Sequence, residues 1–576
     1  MGTIVCKEKG RNRRKYWYYV ESARIEGKPR IVRQDYLGTA ERVAEAVNGR
    51  TRPMPLSATA RAWGLPGALW LAAVDSGVLD CLLQIWPAPK RGPGIAHYML
   101  LAAIQRVCLP GPKTAVEEWY DHTVLRTVWG FRGCRFTSQA FWDAFSRIDL
   151  QSDFPADELS RLQVAMVQLW RNAGMVGHSV LAYDTTNFYT YIDSKNERCG
   201  LARRGHNKQG RHNLKQVGLA YVMDGDTGVG LFHHTYPGNR ADAEEFSISL
   251  PRIIEVLKRT GINPADVTLV FDKGASSLLN SVQLEAAGPG WIAALPWSQA
   301  PQDLREVPLE QMQCCSSVLP GVRVSKGTAL VHGRPATCVV QHSSVFQSEQ
   351  LHSLMANVAK ACAKLRAYVR ELSAARGRRE EKGVRKRIQD ILAAQWLKKV
   401  ITWQLEGNCE QGWSLQFTVD NAALSDLVAH RLGRTVLATN RSEWSAEKIV
   451  LAYHGQSQIE HQFRSLKDGE GPSWGPMFVW TDDKIRIHSF YCMLGLSLVN
   501  WLHHRVRQQN LDMTVDYMLR QLDRLQQVVL LYPSATSGPK PTATVDTRES
   551  LDQVQLINVL GLDRLHGTKR GQYTRP

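Results

Sequence analysis

The chain has no run of about 18 consecutive apolar residues, the length that a membrane-spanning helix needs. Its most apolar segment, Ser489 to Leu502, is too short to cross a bilayer. The N-terminus places Cys6, Lys7 and Arg11 ahead of any apolar block, so the layout of a secretory signal is missing. Cysteine is sparse and scattered: there are 11, an odd number, and only Cys314 and Cys315 lie close together. No C-x-x-C pair occurs, so neither a zinc ribbon nor a disulfide framework is indicated, and a reducing cytoplasm is the simplest compartment. No G-x-x-x-x-G-K-[ST] loop is present, which disfavours nucleoside triphosphate hydrolysis. There is no internal repeat. What remains is an ordinary globular composition, 44% hydrophobic and 22% charged, which excludes a disordered or fibrous chain. At roughly 150 residues per domain, three or four domains are expected.

Charge is what the sequence has in excess. Lys and Arg number 71 against 54 Asp and Glu, a net +17, and the surplus is local. Residues 1–52 hold 13 Lys/Arg against 6 Asp/Glu, residues 196–215 hold 6 against 1, and residues 360–399 hold 13 against 4. The rest of the chain is slightly acidic. Three separate basic patches suggest a polyanion partner; solubility with chance clustering is the bland alternative.

The segments RRKYWYYV (13–20) and RIVRQDY (30–36) flank Glu26-Gly27-Lys28 and read as a β-hairpin with a basic face. From about 55 to 175 the pattern is helical: Trp70, Leu71, Val74 and Val78 recur near a period of 3.6, as do Tyr98, Leu101, Ile104 and Val107. A bundle that holds DNA and a plain structural bundle fit this segment equally. At about 178 the texture turns to strands: SVLAYDTTNFYTYI, then QVGLAYVM, the turn at Asp224 to Gly228, and VGLFHHTY. A helix over Ala243 to Arg259 and the strand VTLVF complete the order β-β-β-α-β, a mixed α/β domain. About 145 residues then interrupt it. WIAALPWS and segments near Val322 and Val339 read as strands. Leu351 to Val400 reads as long basic helices broken near Gly377 and Gly383. TVLAT (435–439) resumes the core, one helix spans about Ser445 to Lys467, and helical segments near 487–503 and 512–532 follow.

Three acids stand out. Asp184 lies in the first core strand, Asp272 ends the strand VTLVF, and Glu460 sits on a helix with Tyr453, Gln456, Phe463, Arg464 and Lys467 at steps of three or four. Each acid alone reads as a cap or a surface ion pair, Glu460 with Arg464 in particular. Together, from two strands and one helix, they suit a pair of divalent ions. Mg²⁺ takes hard oxygen ligands and keeps waters, so few carboxylates suffice. Two such ions about 3.5–4 Å apart clamp the attacking and leaving oxygens of a phosphodiester.

Four stretches then resemble a known family: AYDTTNFYTY around Asp184; GHNKQGRHNLKQVGLAYVMDGDTGVGL with TYPGNRAD; VFDKGASS around Asp272; and YHGQSQIEHQFRSLK around Glu460. The chain looks like a DDE transposase of a bacterial insertion sequence, of insertion-sequence family four and its long-chain subgroup. In that family's signature Tyr453, Glu460 and Lys467 fall on their positions, while Gln456 stands where an arginine is usual. The acids are 88 and 188 residues apart, and the long second gap resembles the β-rich insertion of such enzymes.

The resemblance implies an RNase H-like core, a mixed sheet flanked by helices, interrupted by a large insertion. It divides the chain into a basic hairpin region (1–52), a helical region binding DNA ends (53–176), the first part of the core (177–292), the insertion (293–433), the second part of the core with C-terminal helices (434–532) and an extended tail (533–576). It implies Asp184, Asp272 and Glu460 as catalytic ligands of two Mg²⁺ or Mn²⁺ ions. Tyr453, Gln456, Arg464 and Lys467 are DNA contacts in the same reading. It further implies a homodimer on double-stranded transposon ends and target DNA, in a bacterial cytoplasm. Where hairpin-forming relatives carry a base-stacking tryptophan this chain has Thr435, so no stacking residue is assigned. The alternatives are another nuclease on the same core and a non-catalytic DNA-binding regulator derived from a transposase.

Overall fold

The computed structural model describes residues 2–565 apart from 10–13, 26–27, 48–53, 132, 178–179, 206–210, 212, 276, 316–317, 375–378, 411, 470, 533–541 and 548–549. The chain forms two compact units, Met1–Trp63 with Arg524–Ser550, and Gly64–Asp523 with Leu551–Pro576.

The smaller unit holds two antiparallel sheets. In the first, Gly2–Lys9, Arg14–Ile25 and Lys28–Gly38 form a meander, so the basic hairpin expected from the sequence gains a third strand. Its turn at 26–27 lies outside the described residues. Tyr18 pairs with Tyr36 across the strands with ring centroids 5.2 Å apart. In the second sheet Gln526–Leu531 is the middle strand between Ser57–Ala62 and Thr542–Asp546. This corrects three expectations. Residues 57–62 are strand rather than helix. QQVVLL ends the helical stretch read over 512–532. The segment read as an extended tail contains a strand, and also the helix Leu551–Leu560 of the larger unit. A short apolar run with paired β-branched residues, here Val528 and Val529, is ambiguous by periodicity, and cross-strand partners decide it.

In the larger unit the region from Gly64 to Asn172 is helical and includes α1 (Ile95–Cys108) and α2 (Glu158–Asn172). Tyr98, Leu101, Ile104 and Val107, the periodic set, are all buried. Trp70 and Trp129 meet edge to face at 5.4 Å in the interior. Among the described residues no single helix is long and apolar enough to cross a membrane.

The central sheet follows. Its first strands are β1 (Val180–Thr190), β2 (Lys215–Asp224) and β3 (Gly230–Pro237), joined antiparallel in sequence order. Helix α3 (Asp242–Arg259) crosses over to β4 (Thr268–Phe271), which pairs parallel with β1, and β5 (Gly290–Leu295) pairs parallel with β4. The spatial order β3-β2-β1-β4-β5 is that of an RNase H-like core, and the expected β-β-β-α-β sequence is its first four strands with their helix. β5 is GWIAAL, which straddles the boundary drawn at 293; the strand belongs to the core sheet and not to the insertion.

The insertion extends the same sheet. β6 (Gln313–Cys314), β7 (Val322–Val331) and β8 (Arg334–Ser343) lead to an arm built from α4 (Ser344–Ala374), α5 (Glu381–Ile391), the hairpin β9 (Ile401–Asn408) and β10 (Gly412–Val419), and α6 (Asn421–His430). Gly383 lies inside α5 and does not break it. The arm has its own core around Leu365, Ile388, Val400 and Leu432. β11 (Arg434–Thr439) then returns antiparallel between β5 and β8, closing a nine-stranded sheet.

After β11 come α7 (Ala446–His454), α8 (Ser457–Asp468) and α9 (Asp482–Gln508). The single helix expected from Ser445 to Lys467 is therefore two. Ser445 does cap the first, its hydroxyl accepting from the Lys448 amide. The break falls at Gly455-Gln456, where glycine is a weak helix former and the Gln456 amide turns back to the Tyr453 carbonyl. α9 lies along α1 so closely that a Cβ on Gly495 would come within 2.9 Å of the Ala103 carbonyl oxygen.

Candidate active site

Side chains alternate along β1 and sort its residues between two layers. Tyr183 meets Phe246 of α3 edge to face, and the Thr185 hydroxyl donates to Asp242 of the same helix. Asp184, Thr186 and Phe188 therefore project to the opposite face. There the Lys467 ammonium of α8 donates to the Thr186 hydroxyl and lies 5.8 Å from the Phe188 ring centre.

Strand register brings the second acid level with the first. Ala182 of β1 is the Cα partner of Val270 of β4. Two residues further along each parallel strand stand Asp184 and Asp272, on the same face as those partners. β4 ends at Phe271 while β1 runs on to Thr190, so Asp272 stands at an open sheet end. The side chains of β4 and its neighbours on this face (Val270, Ile292, Leu437 and Val339) form one apolar cluster with Ile449 and Val450 of α7. That packing fixes α7 across the sheet, with Tyr453 half-buried at its edge.

Tyr453 lies near all three carboxylates. Its hydroxyl is pushed well above the ordinary tyrosine value, first by burial and then by the charges of Asp272, Glu460 and Asp184. All three acids thus lie near enough to Tyr453 to help it keep its proton. Asp184 accepts from the Thr185 amide at 2.7 Å. Asp272 and Glu460 are exposed. Among the described residues no three His, Cys, Asp or Glu side chains are gathered closely enough to cage an ion. The donor set nevertheless suits a hard divalent cation: carboxylate oxygens only, at an open sheet end where water can complete the coordination.

α8 is held by its apolar side, with Ile459, Phe463 and Leu466 buried. Its Gln462 amide donates to the Gly228 carbonyl at 2.8 Å, and Asn500 of α9 donates to the same oxygen at 2.7 Å. Arg464 and Lys467 are exposed, Lys467 while donating to Thr186, whereas Gln456 is only 5% exposed, packed at the α7–α8 break. The expectation that Gln456 touches DNA is at odds with that burial.

The sequence reading missed a neighbouring cleft of about 690 Å³ between the end of β1 and the segment after α8. Its walls include Tyr189, Tyr191, Met477 and Phe478, with Arg211 and Lys467 as cations. Phe188 stacks flat on Trp474 at 4.2 Å, and the Arg211 guanidinium lies over Tyr189 at 4.5 Å. Tyr191, Phe478 and Trp480 are more than half exposed, uncommon for large aromatics. α1 supports the wall: Arg106, 2% exposed, donates to the carbonyls of Gly475 and Pro476 at 3.2 and 2.9 Å. The aromatic density of NFYTYI and of WGPMFVW was the available signal. The rest of the basic stretch, 206–210 and 212, lies outside the described residues.

With this geometry in view, the family can be read. A family model described as the transposase DDE domain matches residues 176–470, just over half of the chain. The chain belongs to the DDE transposase family. The match runs from the residues before β1 to the end of α8 and takes in Asp184, Asp272 and Glu460. Enzymes of this family use divalent metal ions. Among solved structures the transposase is similar to the cryo-EM structure of a piggyBac transposase synaptic complex with hairpin DNA, at 9% identity and a TM-score of 0.36, covering 80% of this chain and 76% of that one. Comparison with curated proteins gives no match.

Proposed function

We propose that this DDE transposase binds the terminal inverted repeats of a bacterial insertion sequence of family four, cuts the element free and joins it to target DNA. The observation that carries the reading is the register that sets Asp184 and Asp272 level on two parallel strands, with Tyr453 of α7 close enough to feel the charges of both and of Glu460. In this reading Asp184, Asp272 and Glu460 hold two Mg²⁺ or Mn²⁺ ions. Bound there, the ions would supply activation of the attacking hydroxyl and neutralisation of charge building on the phosphate. Tyr453, with its proton retained, donates to a phosphate oxygen at the same place. Arg464 and Lys467, one helical turn apart on α8, hold the strand that carries the scissile phosphate; the buried Gln456 is not among these contacts. Joining two ends requires two cut ends in one assembly, so a homodimer forms on DNA, in the bacterial cytoplasm.

The test is a cleavage and strand-transfer assay with Mg²⁺ on labelled DNA bearing the element's terminal repeat, with wild type beside Glu460→Gln. Cleavage followed by joining is expected of wild type alone. Binding without cleavage by wild type would favour a regulatory protein derived from a transposase. Equal cleavage by both would mean that the acids are wrongly assigned.

A further inference from the structure

We infer that the α4–α5 arm of the insertion grips the phosphate backbone of duplex DNA without reading its sequence, a role that rests on the transposase reading. The arm's apolar faces are already used. Val358, Leu365 and Leu372 of α4 and Val384 and Ile388 of α5 are buried in the arm's own core, against β9, β10 and α6. The exposed apolar residues of α4, Val345, Phe346 and Met355, lie in its first twelve residues, ahead of the first lysine.

What the outer faces present is cationic. Lys360, Lys364, Arg366 and Arg370 on α4 and Lys382 and Lys386 on α5 are all exposed. They form three like-charged pairs at i,i+4, an arrangement that destabilises a helix in isolation. Opposite charges at i,i+4 occur twice, Glu381 with Arg385, bonded at 2.6 Å, and Lys386 with Asp390, which are not ion-paired. Of the described lysines and arginines of α4 and α5, only Arg385 is ion-paired. A face kept merely soluble would alternate signs, as stabilised helix surfaces do. Four unpaired cations along about 15 Å of α4, at 1.5 Å per residue, with Lys382 and Lys386 of α5 besides, fit a polyanion instead. A second copy of the chain would need an apolar or acidic counterpart, and these outer faces offer no apolar one.

The experiment measures affinity of the full chain for a random-sequence duplex as salt is raised. It compares wild type with K360Q/K364Q/R370Q/K382Q/K386Q and with the charge-keeping set K360R/K364R/R370K/K382R/K386R. Each lost phosphate contact removes roughly 0.9 from the slope of log affinity against log salt, so the glutamine set should flatten it by about 4–5. The charge-keeping set should retain the wild-type slope. Circular dichroism checks that both sets stay folded. An unchanged slope in a folded glutamine variant would overturn the inference. So would a change in the free protein's mass by light scattering, which would make the face a protein interface. Failure of the transposase reading is seen separately, as wild type that binds DNA but never cleaves.

Discussion

Replacing Arg106 with methionine keeps the buried stem and removes the guanidinium that ties α1 to the wall of the aromatic cleft. Arg106 donates to Gly475 and Pro476, and the Ser473 amide returns a bond to the Arg106 carbonyl. Hydrogen bonds from a charged donor are worth about 1.5–3 kcal/mol each, so the two together contribute about 3–6 kcal/mol. Two effects oppose the loss. The guanidinium no longer has to be desolvated, and its repulsion of the neighbouring buried Lys113 disappears. The Gly475 carbonyl also keeps the Ser473 hydroxyl as a donor at 2.8 Å, whereas Pro476 has no such second donor among the bonds described here. The net cost is about 2–4 kcal/mol, felt first by the wall. At about 1.4 kcal/mol per tenfold, the Ser473 and Trp474 amides should exchange with solvent deuterium roughly 30- to 700-fold faster. Hydrogen exchange resolved by mass spectrometry over the peptide containing them reads this directly. Unchanged protection of both amides would refute the claim that α1 holds the cleft.

Lys113 supplies a pH-dependent test. Burial first, and Arg106 second, bring its ammonium down to about 7, below the value of a free lysine. From about 7 upward to that free value the unfolded chain carries a proton the folded chain has shed, so stability from this group rises with pH and is lost as pH falls toward 7. Lys113→Met should therefore raise the melting temperature more at pH 7 than at pH 10; an equal gain at both would contradict the shift. In the arm, Leu365 is fully buried. Leu365→Ala should cost about 2–5 kcal/mol, seen as a lower urea midpoint, and an unmoved midpoint would mean that the arm has no core of its own.

The core and the acids were legible for a common reason: strands buried on both faces write themselves as apolar runs, and the acids interrupt those runs. VTLVF followed by Asp272, and VLAY followed by Asp184, announce strand ends or clefts without any partner being known. Their convergence was not legible, because it depends on parallel register between strands 88 residues apart. The split of α7 from α8 was hidden because Gly455 is tolerated in helices, and only the packing of Ile449 on the sheet and Phe463 near Tyr221 fixes two directions. Residues 526–531 were misread because their strand partners, Ser57–Ala62, are more than 460 positions away. The burial of Gln456 was likewise invisible, since a polar glutamine's hydropathy points to the surface.

The placement of β11 has a consequence for how the enzyme is born. Glu460 follows Asp272 by 188 residues, and its helix can dock only after β11 has slotted between β5 and β8. At 5–20 residues per second, a ribosome spends roughly 10–40 s between the second acid and the third. Through that interval the nascent chain already carries two of the three acids and much of its basic surface, but not the third. On the proposed function, translation itself would act as a safety catch: the transposase would be armed only when almost all of its core has been made.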